Sequence, residues 1–340
     1  RTVTIPLAQL KTSQYVRLSF SAIPDSAQAD YYLLVKLRGQ GRLQVGTAPA
    51  DAYLNGSLYQ NNQPFDGQLS LQLTHDRWQL GLGLLRELGR WLILLGVVAF
   101  LFVLPGWGIL AVFWQDWNQR HWLEKTGLAS GVSLALYPLL MLWSWITGWK
   151  LGPAHAWLPP LIGLTLAAWQ WRANGSAIRI TSLRQQLKTA LSRSGFWAEF
   201  FLGAMLLLLI ATRLWAIRTL DVPLWGDSYL HTVIAQLLVD HGGLFSNWQP
   251  YADLNTMTYH FGFHSLLAVF HWVTQFEMAE TTLIMGQMIN ILAVISLVPL
   301  ALRLSRSPWS AAFAILAAGL AMSLPMIYTN WGRYTQLTGQ

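Results

Sequence analysis

Long apolar runs constrain this chain more than any other feature of its sequence. They lie at about residues 88–114, 128–149, 156–171, 196–217, 282–302 and 309–326. A run of about 20 apolar residues can cross the hydrocarbon core of a bilayer as a helix. Tryptophans gather near the ends of the first three runs, as they do at membrane interfaces. With 54% hydrophobic and 11% charged residues, the chain is predicted to be a polytopic α-helical membrane protein.

One further apolar segment, YHFGFHSLLAVFHWVTQF at residues 259–276, does not fit a full span. As a span it would reverse the positive-inside pattern of the segments that follow it. His260, His264 and His271 fall on one narrow stripe of a helix with 3.6 residues per turn. We therefore predict six spans plus one interfacial or re-entrant helix, whose histidine stripe faces an aqueous outer cavity.

Residues 1–80 have a different pattern from the rest of the chain. Short alternating runs are broken by Gly, Pro, Asn and Asp, and Asp66-Gly67 and Asn55-Gly56 have the composition of hairpin turns. This predicts an all-β, sandwich-like domain on the outer side of the membrane. Because the sequence begins at Arg1 without Met and ends within a polar segment, we expect it to be a piece of a longer polypeptide.

The basic residues predict the orientation of the spans. The loop at 172–195 contains five Lys and Arg residues and no acid, whereas residues 219–302 contain no Lys or Arg. Since cytoplasmic loops are enriched in Lys and Arg, residues 172–195 and 303–306 are predicted inside, and residues 1–80 and 218–281 outside. The predicted modules are 1–80, a three-span module at 88–195 and a membrane core at 196–340. We expect the protein in a bacterial cytoplasmic membrane.

The overall charge and the cysteine count exclude several functions. The net charge is +7, but the basic residues lie at span ends and do not form a stripe with aromatic partners, which argues against a nucleic-acid partner. The chain has no Cys, which excludes disulfides, thiolate catalysis and cysteine-ligated metals.

Asp227 is the leading candidate for a catalytic residue. It follows the fourth predicted span in a loop rich in acids and histidines, and His231 lies four residues later on the same helical face. The helix is predicted to begin at Ser228 as N-cap and to end at Gly242-Gly243. A carboxylate here can serve as a general base. The alternative is that Asp227 only stabilises the helix terminus.

Two further groups are candidates for binding. His260 and His264 have the four-residue spacing that can hold one metal ion from a helix, or they line a cavity without a metal. Arg333 is the only cation on the predicted outer face after Arg218, beside Tyr334. It suits phosphate binding, or it is an interfacial anchor.

The layout of residues 196–340 resembles the GT-C class of polytopic glycosyltransferases, which includes oligosaccharyltransferases, protein mannosyltransferases and aminoarabinose transferases. The resemblance rests on an Asp soon after a span, an amphipathic helix ending in Gly, and the YHFGFH segment. It implies transfer of a sugar from a polyprenyl-phosphate donor, with membrane lipid and lipid-linked sugar as partners and Asp227 as the catalytic residue.

The resemblance, together with the residues above, gives an expected site. Substrate binding is expected from Arg333, His231, Tyr334 and His264, and a divalent metal, Mg or Mn, from Asp227, His260 and His264. This chain departs from the class because YHFGFH lacks its prolines and NWGRYTQLTGQ has no second carboxylate. A non-catalytic scaffold or anchor subunit of a larger membrane complex is therefore the alternative. A transporter is less favoured, because the spans show no inverted repeat.

Overall fold

The computed structural model describes residues 3–10, 15–21, 23, 31–40, 43–49, 57–72, 77–173, 195–224, 226–256 and 260–339. The chain divides into two compact units, Arg1–Arg90 and Trp91–Gln340.

In the described part of the first unit, four short strands form two antiparallel pairs. β1 (Thr47–Ala48) pairs with β4 (Gln68–Leu69), and β2 (Leu58–Gln60) pairs with β3 (Gln63–Phe65). The β2–β3 hairpin turns at Asn61 and Asn62, whose φ angles are 52° and 65°, as a two-residue type I′ turn requires. Asp66-Gly67 instead joins strands of different pairs, and Asn55-Gly56 lies outside the described residues. The β-sandwich remains a prediction.

Helices dominate the rest of the chain. Their bounds are α1 Arg77–Phe102, α2 Leu104–Phe113, α3 Trp122–Thr147, α4 Pro153–Ala156, α5 Leu158–Ala173, α6 Phe196–Ile217, α7 Gly226–His241, α8 Phe261–Thr274, α9 Met278–Ser296, α10 Val298–Ser305, α11 Pro308–Ala314, α12 Met326–Asn330 and α13 Tyr334–Gly339, with a π-helix at Ile315–Ala321.

Within the described residues, four helical segments are long and apolar enough to cross a membrane. They are Trp122–Thr147, Phe196–Ile217, Met278–Ser305 and Pro308–Asn330, and α1 with α2 makes a fifth if this pair, bent by 42°, is one span. The bend falls at Val103, next to the Pro at the start of α2. The third predicted span, at 156–171, lies in α5, whose 16 residues are about 24 Å long. The total of six spans remains a prediction.

The core of the second unit forms around α9. This helix is buried on nearly every side and contacts α3, α6, α7, α8 and α13. α8 is also enclosed, because α3, α7, α9 and α13 surround it and nine of its 14 side chains are buried. The expectation that one face of α8 meets an open cavity is therefore wrong for His264, which is 1% exposed. Helical periodicity cannot show which faces other helices will cover.

Polar contacts show which helix ends lie together. Nε2 of His121 is 2.8 Å from Oε1 of Glu199, and Nε of Arg303 is 3.5 Å from Oε1 of Glu124. These contacts bring the starts of α3 and α6 to the end of α10. Elsewhere, after the end of α3, the backbone N–H of Leu151 donates to the carbonyl of Gly242, which follows α7 (2.7 Å).

Candidate functional site

The site is built where the start of α7 meets the start of α13. Asp227 is exposed in the first turn of α7, where a carboxylate is favoured by the helix dipole. Gly332, just before α13, is packed against this turn with φ at +66°. A Cβ placed on Gly332 would lie 2.7 Å from Oγ of Ser228 and 3.3 Å from Cβ of Asp227. The close approach and the left-handed backbone both require glycine here.

Ser228 lies inside the helix and is not its N-cap, which corrects the prediction. Its Oγ donates to the carbonyl of Leu224 at 2.6 Å and lies 3.1 Å from the hydroxyl of Tyr334. Because the single hydroxyl hydrogen of Ser228 is used on Leu224, the Tyr334 hydroxyl is the donor to Ser228. This bond ties α13 to the first turn of α7.

Tyr334 is buried and packed between α7, α8 and α9. It is 3% exposed, its ring stacks on Phe263 of α8 with centroids 5.0 Å apart, and a Cβ on Gly286 of α9 would lie 2.5 Å from its Cε1. Burial raises the pKa of Tyr334, and the bond to Ser228 partly opposes that shift. The phenol is therefore neutral and serves as a donor.

His231 and His264 form a buried pair beside this tyrosine. Nδ1 of His231 lies 2.8 Å from Nε2 of His264, and Nδ1 of His264 lies 3.1 Å from the carbonyl of His260. A carbonyl only accepts, so His264 carries its hydrogen on Nδ1 and accepts on Nε2. His231 must then donate from Nδ1, which leaves its Nε2 as the unprotonated nitrogen.

The surroundings keep both rings neutral at pH 7. Burial, and secondarily the neighbouring His231, lower the pKa of His264 to about 3. Burial also lowers the pKa of His231, whereas the charge of Asp227 and the backbone of Gly332 oppose that shift. One proton can enter at Nε2 of His231 without breaking the pair, but a proton on Nε2 of His264 would remove the acceptor.

Arg333 is exposed next to this cluster in the chain. It directly follows Gly332, and its guanidinium carbon lies 5.5 Å from the ring centre of Trp331. Among the described residues, no carboxylate lies within ion-pairing distance of Arg333. Its charge is therefore available to an anionic ligand.

The expected metal ligands are not brought together in one set. Both ring nitrogens of His264 are engaged, and over the described ranges no group of three or more His, Asp or Glu side chains is placed to hold a metal ion. His271 lies at the other end of α8, where its Nδ1 donates to the carbonyl of Phe276 at 2.7 Å. The metal site remains a prediction.

The candidate site is thus Asp227, Ser228, His231, His264, Gly332, Arg333 and Tyr334. Sequence reasoning singled out Asp227, His231, His264, Arg333 and Tyr334, but it placed Ser228 as a cap and missed Gly332. The available signal was a glycine flanked by aromatic residues in the segment TNWGRY, since glycine permits a close backbone approach. No family model, curated protein or solved structure matches this chain.

Proposed function

We propose that this chain is part of a membrane transferase that moves a sugar from a polyprenyl-phosphate donor to an acceptor hydroxyl or amine. The observation that carries the proposal is that Asp227 and Arg333 are both exposed and are joined through the contact with Gly332. Asp227 follows the end of α6, a helix of membrane-spanning length, by ten positions. A donor with its lipid tail in the bilayer presents its phosphate at this level.

Each step of the reaction has a suited residue. The hydroxyl oxygen or amine nitrogen of the acceptor attacks the anomeric carbon of the sugar, and Asp227 accepts the proton that this acceptor group loses. The bond between that carbon and the phosphate oxygen breaks, and the polyprenyl phosphate leaves with the electron pair. Arg333 binds the leaving phosphate through its planar fork of donors. His231 and Tyr334 line the site, and His264 orients His231.

The charge distribution supports an outer location for this site. Residues 219–302, which include Asp227, carry no Lys or Arg, whereas Arg303 lies with the starts of α3 and α6. By the positive-inside tendency, the end with Arg303 is cytoplasmic and the candidate site faces outward from a bacterial cytoplasmic membrane. No step of this proposal uses a metal ion.

The proposal is tested with the full-length protein in lipid nanodiscs and a panel of polyprenyl-phosphate sugars. Asp227→Asn keeps shape and hydrogen bonding but removes the base, so transfer falls by about 10²-fold or more. Asp221→Asn, an exposed acid six residues earlier, is the matched control and retains transfer. Arg333→Lys raises the donor KM, because a point charge replaces a fork.

Two outcomes would overturn the proposal. Near-normal transfer by Asp227→Asn would leave Asp227 as a helix-terminus residue. If the intact protein transfers no sugar from any donor of the panel yet purifies with fixed protein partners, it is the non-catalytic scaffold of a larger membrane complex.

A further inference from the structure

Arg213 is a buried cation inside a helix of membrane-spanning length. It lies in the last two turns of α6, and its side chain is 7% exposed. Ionisable residues within membrane helices are costly, and they mark ligand or ion sites when no structural partner neutralises them. An arginine cannot escape this cost by losing its proton.

The partners of Arg213 in the structure are neutral. Its Nε donates to Oδ1 of Asn290 at 2.7 Å, and its Nη2 donates to the carbonyl of Gly319 at 2.5 Å. Within the described part of the chain, no carboxylate forms an ion pair with Arg213. These two bonds use two of the five guanidinium N–H groups and leave the positive charge without a counter-charge.

A second, independent observation points to a missing acceptor at the same place. Nδ2 of Asn290 is buried with no hydrogen-bond partner, although the residue is 0% exposed. Its orientation is set by the network, because Oδ1 must be the atom that accepts from Arg213. Since Oδ1 and Nδ2 are bonded to one carbon, this free donor lies beside the guanidinium. Buried donors in native proteins are rarely left unpaired.

Water could satisfy the amide of Asn290 but would not neutralise the arginine. An anion does both, because it accepts hydrogen bonds and supplies the counter-charge. A phosphoryl oxygen matches the bidentate fork of a guanidinium.

The helix α9 relates this cluster to the candidate site. Gly286 faces Tyr334, and Asn290 binds Arg213 one turn further along, about 6 Å deeper at 1.5 Å per residue. Gly319, the other partner of Arg213, lies in the π-helix Ile315–Ala321. Such π segments occur frequently at functional sites.

We propose that Arg213 and the amide of Asn290 bind the phosphoryl group of an isoprenoid lipid phosphate held between α6, α9 and the π-helix. This inference rests on the proposed function only in taking that lipid as the donor or the leaving lipid of the transfer reaction. The inference adds a buried phosphate contact at Arg213 to the exposed contact at Arg333 that the proposed function already uses.

The test uses the full-length protein in detergent, with farnesyl phosphate as the probe. Farnesol, its neutral counterpart, and inorganic phosphate are the comparison ligands, and binding is measured by titration calorimetry and by the rise in Tm. We expect farnesyl phosphate to bind and raise Tm, with farnesol and inorganic phosphate at least 10-fold weaker. Comparable binding of inorganic phosphate would overturn the lipid source, and comparable binding of farnesol would overturn the anion site.

Three variants assign the binding to Arg213. Arg213→Met removes the charge and should weaken farnesyl phosphate binding at least 10-fold, with a smaller Tm rise, whereas Arg218→Met, an exposed arginine stacked on Trp215, should bind as the wild type does. Asn290→Asp supplies an internal carboxylate to Arg213, so it should fold as well as or better than the wild type and yet lose farnesyl phosphate binding at least 10-fold. Its use keeps the test decisive if Arg213→Met does not fold.

The inference is overturned if Arg213→Met and Asn290→Asp both bind farnesyl phosphate as the wild type does. If Arg213→Met does not fold, wild-type binding by Asn290→Asp is sufficient to overturn it. The outcome is separable from that of the proposed function. If the protein binds farnesyl phosphate through Arg213 but transfers no sugar, the Arg213 site stands and the proposed transferase function fails. If the protein transfers sugar and its Arg213 variants bind farnesyl phosphate normally, the transferase function stands and the Arg213 site fails.

Discussion

Nδ1 of His231 donates to Nε2 of His264 across 2.8 Å, and this bond joins α7 to α8 inside the second unit. The carbonyl of His260 sets the tautomer of His264, which in turn sets that of His231. Three polar groups are thereby satisfied in a region where an unpaired group would be costly. The pair also connects the buried interior to Asp227 one turn earlier on α7.

The first prediction concerns the stability of the fold at acidic pH. The pKa of His264 is lowered to about 3 from its ordinary value of 6.5, so between these values the unfolded chain binds a proton that the folded chain does not. Stability is therefore full above pH 6.5 and falls as the pH drops below it, by about 1.4 kcal/mol per pH unit for one proton. Thermal unfolding between pH 7.5 and pH 5 measures this.

The matching variant is His264→Gln, which keeps an acceptor for His231 and a donor for the His260 carbonyl but does not titrate. It should make the decline in Tm between pH 6.5 and pH 5 shallower, and the remaining decline is that of His231, whose pKa burial also lowers. His241→Gln, on the same helix as His231, should leave the decline unchanged. A wild-type decline in His264→Gln would show that another group carries the pH dependence.

The second prediction concerns Gly332. In Gly332→Ala the new methyl group would meet Oγ of Ser228 at 2.7 Å and its backbone nitrogen at 2.9 Å, with φ at +66°. Overpacking and a left-handed alanine together should cost about 2–4 kcal/mol, and the Tm should fall. Gly339→Ala, where a Cβ meets nothing within 4 Å, should be nearly neutral. Equal Tm values for the two variants would contradict the packing of Gly332 against α7.

The membrane-length helices could be predicted from the sequence because their signal is local. The apolar run at 196–217 coincides with α6, and Pro105 marks the bend between α1 and α2. The hairpin turn at Asn61 and Asn62 was not predicted, because the prediction relied on Gly-containing pairs such as Asp66-Gly67. In the structure two asparagines adopt the positive φ angles that this turn requires.

The contacts of the site could not be predicted, because they depend on which helices meet. The spacing of His260, His264 and His271 on one helix says nothing of His231, which arrives on another helix and takes the Nε2 atom of His264. In the same way, Asp227 and Arg333 were proposed separately as exposed groups. They are linked by the contact of Gly332, 105 positions after Asp227, with the first turn of α7.

The third prediction is a coupling energy between Tyr334 and Ser228. Tyr334→Phe removes the donor but keeps the ring that stacks on Phe263, and Ser228→Ala removes the acceptor. If the 3.1 Å bond contributes to stability, a double-mutant cycle on the free energy of unfolding gives about 1 kcal/mol of coupling. Additive effects would show that the bond contributes nothing. Ser228→Ala combined with Tyr328→Phe, a half-buried tyrosine on α12, is the control and should be additive.

The fourth prediction concerns the contact between α2 and α5. A Cβ on Gly163 would lie 2.5 Å from the carbonyl oxygen of Leu104 and 2.6 Å from Cα of Pro105, so the two backbones touch as small residues allow in membrane proteins. Gly163→Ala should lower stability by about 1–3 kcal/mol. Gly131→Ala on α3, where a Cβ meets nothing within 4 Å, should not. A Tm loss confined to Gly131→Ala would contradict this packing.

The last prediction is the orientation of the chain in the membrane. Ser246 and Ser305 are both exposed; Ser246 follows α7, and Ser305 ends α10 beside the basic residues Arg303 and Arg306. Since the chain contains no cysteine, each single Ser→Cys variant gives one reactive thiol. The positive-inside tendency places Ser246 outside and Ser305 in the cytoplasm.

In intact cells an impermeant maleimide should label Ser246→Cys, and Ser305→Cys only after the membrane is permeabilised. Labelling of Ser305→Cys in intact cells, with Ser246→Cys protected until permeabilisation, would invert the topology and move Asp227 to the cytoplasmic side, where an outward-facing transfer reaction is impossible.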